Sequence, residues 1–374
     1  MNTLGLYIHI PFCRSKCLYC DFCSFPRMDG ETVSRYADEL CRRLLAAAPC
    51  AADRTVDTVY FGGGTPTLLP IDAFSRILHT VSEQFKLTPD CEITAECNPA
   101  TADFPYLSAL HALGVNRLSI GLQSVHENEL RALGRAHTFA DFQAVFADAR
   151  RAGFDNISAD LMYGIPHQTE ESFRASIEAL CALSPEHISS YGLKIEEGTP
   201  FSRMQESLPL PDEDAEYRMY CLLTHELEKR AYHKYEISNF AKEGQHSRHN
   251  LRYWHSEEYL GFGPAAHSYF EGERFGNSRD LDAFLRGEDI VCERTTLTAH
   301  EREEESVMLG LRLAEGISLA EFEAKTGQDF MARYPIVSRM ITEGFMVLED
   351  GHLHFTDKGF FVSNAILAEM LSFD

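Results

Sequence analysis

The stretch Tyr7-Ile8-His9-Ile10-Pro11-Phe12-Cys13-Arg14-Ser15-Lys16-Cys17-Leu18-Tyr19-Cys20 places three cysteines in a C-x3-C-x2-C spacing directly after an apolar run. Cysteine thiolates are the protein ligands that hold iron–sulfur clusters. Three thiolates leave one iron of a four-iron cluster without a protein ligand, and that iron is open to a second molecule. We therefore predict a 4Fe–4S cluster bound by Cys13, Cys17 and Cys20.

The competing interpretations of these cysteines are three unremarkable thiols in a reduced protein, or half of a zinc site. A structural zinc ion takes a second pair of ligands at a matching spacing. Beyond Cys23 the sequence contains no C-x2-C or H-x3-H pair. The spacing therefore favours a cluster over zinc.

Composition restricts the class of protein. The chain has 374 residues, of which 44% are hydrophobic, enough for one large core and a smaller one. No apolar run approaches the ~20 residues of a membrane-spanning helix, and the N-terminus has the pattern of a strand and not of a signal peptide. Eleven cysteines without the framework of a small secreted domain fit a reducing compartment. We expect a cytoplasmic protein with no integral membrane segment.

The net charge of -23 argues against a nucleic-acid-binding surface. It favours small molecules or proteins as partners.

Six apolar, β-branched segments alternate with helical patterns in the first part of the chain. The predicted strands are Leu6–Ile10, Val56–Phe61, Cys91–Ala95, Arg117–Gly121, Asn156–Met162 and His187–Leu193. The predicted helices are Glu31–Ala48, Ile71–Phe85, Phe104–Leu113, Phe139–Ala152 and Glu170–Leu183. Such alternation predicts a parallel sheet with right-handed crossovers, either an open doubly wound sheet or a barrel.

Polar or glycine-rich motifs follow successive predicted strands. After the first strand come the cysteines, and the later strands are followed by or contain Gly62-Gly63-Gly64-Thr65-Pro66, Glu96-Cys97-Asn98-Pro99, Gly121-Leu122-Gln123-Ser124 and Asp160. Functional groups at the carboxyl ends of parallel strands are typical of TIM-type barrels. We expect an α/β fold built on a partial (β/α)6 TIM-type barrel.

Three segments divide the chain. They are the barrel (1–200), a helix Glu213–Arg230 with an irregular segment covering the barrel (201–299), and a small α+β domain (300–374). In the last segment, predicted helices Arg302–Leu313, Leu319–Thr326 and Ile336–Glu343 precede a hairpin with Asp350-Gly351 at its turn, which resembles a winged helix. Its 14 acidic and 6 basic residues give a net charge of -8, which argues against DNA. We expect a cap or partner-docking domain.

These motifs resemble the radical S-adenosylmethionine superfamily, over nearly the whole chain. Within it, the resemblance is to the branch that contains oxygen-independent coproporphyrinogen III oxidases and HemW-type haem chaperones. It implies that the open iron takes the amino and carboxylate groups of S-adenosylmethionine, whose cleavage gives a 5′-deoxyadenosyl radical. The positions that match S-adenosylmethionine contacts, for one or two molecules, are Tyr7, Tyr19, Gly63, Gly64, Thr65, Glu96, Gln123, Arg135 and Asp160.

Three of these assignments have alternatives. A Gly62–Gly64 run also occurs in plain loops, although its place directly after a strand favours binding. Glu96 and Asp160 at strand ends are also compatible with an ion pair across the barrel mouth. Cys23 is a fourth cysteine, but the oxidase branch has its extra cysteine where this chain has Phe22. A closing ligand at Cys23 would leave no open iron, so we predict that Cys23 does not bind the cluster.

The segment His249-Asn250-Leu251-Arg252-Tyr253-Trp254 contains the only tryptophan of the chain. The resemblance associates this H-N-x-x-Y-W pattern with the proposed haem-binding region of HemW-type chaperones. Histidine is a common ligand of haem iron, and Tyr253 and Trp254 offer flat apolar area. We therefore predict a haem site at His249, Asn250, Tyr253 and Trp254. The nearby His246, His255 and His267 are alternative ligands, and a structural, hydrogen-bonded role is the alternative for any one histidine.

The function expected from this resemblance is that of a haem chaperone. Such a protein would bind the cluster, S-adenosylmethionine and haem, and pass haem to acceptor proteins, with transient membrane-protein contact among the options. The alternatives are an oxygen-independent coproporphyrinogen III oxidase, a radical methyltransferase or a haem-degrading enzyme. Against the oxidase stand Phe22, the H-N-x-x-Y-W segment, and a cluster motif that begins at Cys13 without room for the oxidase's N-terminal extension. Catalytic turnover is left open.

Overall fold

A mixed sheet of 12 strands forms the centre of the computed structural model, which describes residues 3–371. The outer ends of the predicted segments 1–200 and 300–374 lie outside these residues. Residues 3–192 form strands β1 (Thr3–Ile10), β2 (Phe12–Cys13), β3 (Phe25–Pro26), β4 (Thr55–Gly63), β5 (Leu87–Cys97), β6 (Arg117–Gln123), β7 (Ile157–Tyr163) and β8 (His187–Gly192). The helices of this part are α1 (Gly30–Ala47), α2 (Ile71–Gln84), α3 (Phe104–Ala112), α4 (Glu127–Ala132), α5 (Phe139–Ala152) and α6 (Glu170–Ala182).

Six of these strands lie side by side in chain order, β1-β4-β5-β6-β7-β8, and each pairs in parallel with the next. A doubly wound sheet reverses its strand order partway across, whereas sequential order is that of a β/α barrel. The strand order therefore confirms the predicted α/β fold and excludes the doubly wound alternative. Strands β2 and β3 form a separate parallel pair beside the cysteine loop.

Helix α5 illustrates why the predicted helices form where they do. Thr138 caps its first turn through a reciprocal hydrogen-bond pair with Asp141. Phe142 and Phe146, four residues apart, are buried on the face that packs against the sheet. Gly153 ends the helix at φ 103°, a conformation that glycine adopts without strain.

Residues 193–298 extend the sheet at both ends. They form α7 (Pro200–Met204), α8 (Glu213–Glu228), β9 (His233–Glu236), β10 (Asn239–Ala241), α9 (Arg248–Trp254), β11 (Tyr259–Phe262), β12 (His267–Phe270), β13 (Glu273–Asn277), α10 (Leu281–Leu285) and β14 (Val291–Thr296). Strand β11 pairs in parallel with β1, β12 to β14 continue from it in antiparallel order, and β10 and β9 follow β8. The prediction of an irregular stretch around the H-N-x-x-Y-W segment was therefore wrong. Short strands that add to an existing edge are stabilised by that edge and need little periodicity of their own.

A small α+β domain follows, with its own hydrophobic core. It contains α11 (Ala299–Gly310), β15 (Ile317–Ser318), α12 (Leu319–Thr326), α13 (Phe330–Arg333), α14 (Ile336–Thr342), β16 (Met346–Glu349), β17 (His352–Phe355), α15 (Asp357–Phe361) and α16 (Ser363–Met370). The predicted hairpin is present, and Asp350 and Gly351 both have positive φ at its turn. No helix among the described residues is long and apolar enough to cross a membrane.

Candidate functional site

A cavity of about 600 Å³ opens at the carboxyl ends of the parallel strands. The strand ends bring together side chains that are far apart in sequence, as barrel folds do. All the predicted cluster and S-adenosylmethionine residues except Tyr7 line it, namely Cys13, Cys17, Tyr19, Cys20, Gly63, Gly64, Thr65, Glu96, Gln123, Arg135 and Asp160. The cavity is within the usual size range of sites that bind a small-molecule cofactor.

Backbone contacts from distant parts of the chain hold the cysteine loop in place. The amide of Leu18 donates to the carbonyl of Leu133 at 3.0 Å, and the amide of Phe201 donates to the carbonyl of Leu18 at 3.1 Å. Gly134 allows this approach, because a Cβ atom there would lie 2.9 Å from Cγ of Leu18. The loop between Cys17 and Cys20 is therefore fixed against the segment after α4.

The three thiols of the predicted cluster site, Cys13, Cys17 and Cys20, face one cavity. Burial raises the pKa of the Cys20 thiol, and the nearby Cys17 thiol raises it further. Among the described residues, no group of three or more His, Cys, Asp or Glu side chains is arranged around one ion. The ligands of a zinc ion converge on one point, whereas cluster thiolates each bind a different iron.

Cys23 is placed away from this cavity. Its thiol is buried and lies 3.8 Å from the carbonyl oxygen of Arg279. The neighbouring Phe22 does line the cavity and is 68% exposed, the most exposed large hydrophobic residue among those described. That Cys23 does not bind the cluster stays a prediction.

The glycine loop after β4 packs directly on the start of the cysteine loop. The amide of Gly64 donates to Ile10 at 2.9 Å, and that of Thr65 donates to Phe12 at 2.7 Å. A Cβ atom on Gly64 would lie 2.6 Å from the carbonyl oxygen of Phe12, and Gly63 has φ 109°. Gly64 is therefore required by the close approach of two backbones, and Gly63 by its positive φ. The Thr65 hydroxyl lies 3.7 Å from the Cys13 sulfur.

Glu96 joins β5 to this glycine loop. The hydroxyl of Tyr60 donates to Glu96 Oε1 at 2.9 Å, and the amide of Gly63 donates to Oε2 at 3.0 Å. Burial raises the pKa of the Glu96 carboxyl to about 7, and these two donors oppose the shift. The carboxyl therefore changes its charge near neutral pH.

A second polar group lies on β6 and β7. Burial raises the pKa of Asp160 to about 6, while the nearby Arg135 and the hydroxyl of Ser119, 3.2 Å from Oδ1, favour its ionised form. Gln123 accepts a hydrogen bond from Tyr191 at 3.1 Å and has φ 69°, an uncommon conformation outside glycine. Asp160 and Gln123 are thus held by hydroxyl donors, and the positive charge of Arg135 lies near the Asp160 carboxylate.

Tyr7 is not among the residues that line the cavity. Its hydroxyl donates to Nδ1 of His9 at 3.0 Å, and Nε2 of His9 donates to the carbonyl of Cys23 at 2.8 Å. Its ring stacks on Tyr60, with 6.2 Å between centroids. In this arrangement Tyr7 supports the segment that follows the cluster cysteines.

The sequence analysis missed cavity residues such as Tyr60, Ser119 and Tyr191. The first two stand two positions before Gly62 and Gly121, so the alternation of side chains along a strand was the signal that would have found them. Tyr191 stands next to the last residue of β8. Functional groups gather at the carboxyl ends of such strands, so its position was also a signal.

The four predicted haem residues do not line the cavity. They lie on α9, where His249 is only 1% exposed and both its ring nitrogens are hydrogen-bonded, Nδ1 to Thr58 at 2.9 Å and Nε2 to Tyr253 at 2.7 Å. Burial lowers its pKa to about 3. His249 therefore has no free nitrogen to offer an iron. Asn250 and Trp254 remain partly exposed.

The alternative histidines are more accessible. The ring of His246 stacks on Tyr235 at 4.4 Å, His255 lies 3.9 Å from Glu315, and His267 is exposed on β12. His246 precedes α9, His255 directly follows it, and His267 begins β12.

Two family profiles match the chain. Residues 7–180 match the Radical SAM superfamily and residues 297–362 match the HemN C-terminal domain. A Bacillus subtilis (strain 168) protein named heme chaperone HemW is 34% identical over 98% of this chain and 98% of its own. The chain belongs to the HemW family of the radical S-adenosylmethionine superfamily. Membership of this superfamily implies a 4Fe–4S cluster and S-adenosylmethionine.

Further relatives match nearly the whole chain, and a solved structure has the same fold. A Lactococcus lactis protein of the same name is 33% identical over 98% of this chain and 96% of its own. The Mus musculus protein named radical S-adenosyl methionine domain-containing protein 1, mitochondrial, is 34% identical over 98% of this chain and 87% of its own. The structure of Escherichia coli coproporphyrinogen III oxidase (HemN) superposes with a TM-score of 0.87 over 98% of this chain and 89% of that chain, at 23% identity. The chain therefore shares the fold of that structure.

Proposed function

We propose that this protein is a haem chaperone that binds a 4Fe–4S cluster, S-adenosylmethionine and haem, and transfers haem to acceptor proteins. The observation that supports this most strongly is the full-length similarity to proteins named heme chaperone HemW. A reducing cytoplasm, where thiolate ligands persist, is the compartment in which we propose that it acts.

The cavity residues suit the two cofactors. Cys13, Cys17 and Cys20 would hold the cluster, which when bound supplies an electron for cleavage of S-adenosylmethionine. The carboxylate of Glu96, which the amide of Gly63 and the hydroxyl of Tyr60 hold in place, would orient the methionine end. Asp160 and the polar groups of β6 would contact the rest of the molecule, and the enclosing strands would keep bulk water away.

The proposed haem contact is on the partly exposed side of the H-N-x-x-Y-W segment, at Asn250 and Trp254. An indole offers a large flat apolar surface with one polar group. Because both nitrogens of His249 are hydrogen-bonded within the protein, we do not propose His249 as an iron ligand.

The test is anaerobic reconstitution of the cluster, followed by three measurements. We expect haem titration to reach a stable stoichiometric complex, and haem to move to a haem-free globin used as a general acceptor. We also expect little conversion of coproporphyrinogen III. Conversion of coproporphyrinogen III with release of 5′-deoxyadenosine would instead support the oxidase alternative, and absence of haem binding would contradict the chaperone proposal.

A further inference from the structure

The start of α9 is tied to the strand that positions Glu96. The backbone amides of Arg248 and His249 each donate to one carboxylate oxygen of Glu92, both at 3.1 Å. Glu92 is buried on β5, four residues before Glu96. The H-N-x-x-Y-W helix therefore has a fixed position relative to one wall of the cofactor cavity.

The ring of His249 is held on both edges and packs on an aromatic face. Thr58 and Tyr253 occupy its two nitrogens, and the ring stacks on Tyr60 with 5.2 Å between centroids and 23° between planes. Tyr7 lies farther away on the same stack, at 6.5 Å. Because the imidazole cannot rotate without breaking two hydrogen bonds, it limits the positions available to Tyr60.

Tyr60 in turn contacts the cavity carboxylate. Its hydroxyl donates to Glu96 Oε1 at 2.9 Å, and the other oxygen of Glu96 accepts from Gly63. A continuous set of contacts thus runs from His249 through Tyr60 to Glu96 and the glycine loop.

We propose that His249 is a positioning residue of the S-adenosylmethionine site, which holds the Tyr60 ring so that its hydroxyl orients the Glu96 carboxylate toward the cofactor. The H-N-x-x-Y-W segment then acts on cofactor binding from outside the cavity. This inference rests on the proposed function, since it requires S-adenosylmethionine to occupy the cavity.

The pH dependence of cofactor binding distinguishes positioning from general stability. The ionisable groups that face Glu96 are Tyr60 on β4, Asp160 on β7, Arg117 on β6, Tyr7 on β1 and Tyr253 on α9. Loss of the Tyr60 hydrogen bond removes a donor that favours the carboxylate, so the pKa of Glu96 rises further. A variant without this hydrogen bond should therefore lose much S-adenosylmethionine affinity at pH 7. The loss should be smaller at pH 9, where Glu96 is ionised again. Asp160 and Arg117 are present in every variant, so their effects on the pKa of Glu96 are the same in all the proteins compared.

The experiment measures the dissociation constant of S-adenosylmethionine on the reconstituted protein between pH 6 and pH 9. Tyr60→Phe, which removes only a hydroxyl, is expected to weaken binding roughly tenfold at pH 7. His249→Ala and the milder Thr58→Val should produce a loss with the same pH dependence, and His249→Ala should add little to Tyr60→Phe, because both act through one contact. His79→Ala, at an exposed histidine of α2, is the control and should leave S-adenosylmethionine affinity unchanged.

Three results would overturn the inference. The first is unchanged S-adenosylmethionine affinity in Tyr60→Phe, Thr58→Val and His249→Ala. The second is an equal loss at all pH values, which indicates general destabilisation. The third is a shifted haem Soret band in His249→Ala with normal S-adenosylmethionine binding, which makes His249 an iron ligand. If the parent protein itself fails to bind S-adenosylmethionine, the proposed function and this inference fall together, whereas binding by the parent with unaltered variants overturns the inference alone.

Discussion

A Cβ atom on Gly5 would lie 2.5 Å from Cδ of Arg252. Arg252 is buried, and its guanidinium bonds to the Asp57 carboxylate and, at 3.0 Å, to the carbonyl of Glu258. Because Gly5 of β1 has no side chain, there is room beside it for Arg252 of α9. This arginine connects the H-N-x-x-Y-W helix to the first two strands of the barrel.

Gly5→Ala should destabilise the fold, because the added methyl group displaces a buried, ion-paired side chain. We expect the free energy of unfolding to fall by about 1–3 kcal/mol, measured by urea denaturation. Gly30→Ala is the matched control, since a Cβ there meets nothing within 4 Å. Equal stability of the two variants would show that Arg252 moves aside without cost.

Replacing Cys13, Cys17 or Cys20 with Ala should abolish the broad visible absorbance of the reconstituted cluster, because each thiol faces the cavity. Cys23→Ala should keep the absorbance and the iron content, since its thiol points to Arg279. If Cys23→Ala loses iron as completely as Cys17→Ala, the open-iron arrangement is wrong.

Glu96→Gln should weaken S-adenosylmethionine binding by roughly tenfold or more, because an enclosed charged hydrogen-bond acceptor becomes neutral. Calorimetry on the reconstituted protein measures this change. The control is Glu197→Gln, on an exposed residue outside the cavity lining. Unchanged affinity would make Glu96 a purely structural partner of Tyr60.

Stability should depend on pH through Glu236, which is fully buried on β9. Burial raises the pKa of the Glu236 carboxyl from 4.5 to about 7. The amide of Ser238 donates a hydrogen bond to this carboxyl and opposes the rise. The folded state therefore holds a proton that the unfolded state releases between these values, and stability falls as pH rises through this window. Glu236→Gln removes the effect, so its stability relative to the parent should increase by about 3 kcal/mol from pH 4.5 to pH 7.

The measurement is thermal or urea unfolding of the parent, Glu236→Gln and the exposed Glu243→Gln across this pH range. Glu243→Gln should follow the parent. A constant difference between Glu236→Gln and the parent would mean that Glu236 does not titrate in this window.

Trp254→Ala should weaken haem binding by about tenfold, since a large apolar contact is lost, while S-adenosylmethionine affinity stays unchanged. Leu348→Ala, which removes another exposed hydrophobic side chain, is the control. Haem titration followed at the Soret band compares the three proteins. Equal binding by all of them would separate haem binding from the H-N-x-x-Y-W segment.

The elements with strong local signals were predicted well. Helix Phe139–Ala152 was predicted with the bounds that the structure has, since its Thr138 cap and Gly153 stop are both visible in the sequence. The seven-residue helix Arg248–Trp254 and the strand Tyr259–Phe262 were not predicted. Helices this short are not stable alone, and this strand exists because β1 offers it a free edge.

The sequence by itself determined which cysteines and strand-end groups are candidates for the cofactor site, because the C-x3-C-x2-C spacing and the alternation of strands with helices are local patterns. Only the tertiary structure decided the burial and the hydrogen-bond partners of His249. Its hydrogen-bond partner Thr58 is 191 residues away along the chain. Its stacking partner Tyr60 lies on the same strand as Thr58, β4. Which side chains meet across such a distance depends on how strands pair and helices pack, so the histidine's environment could not be read from its neighbours in sequence.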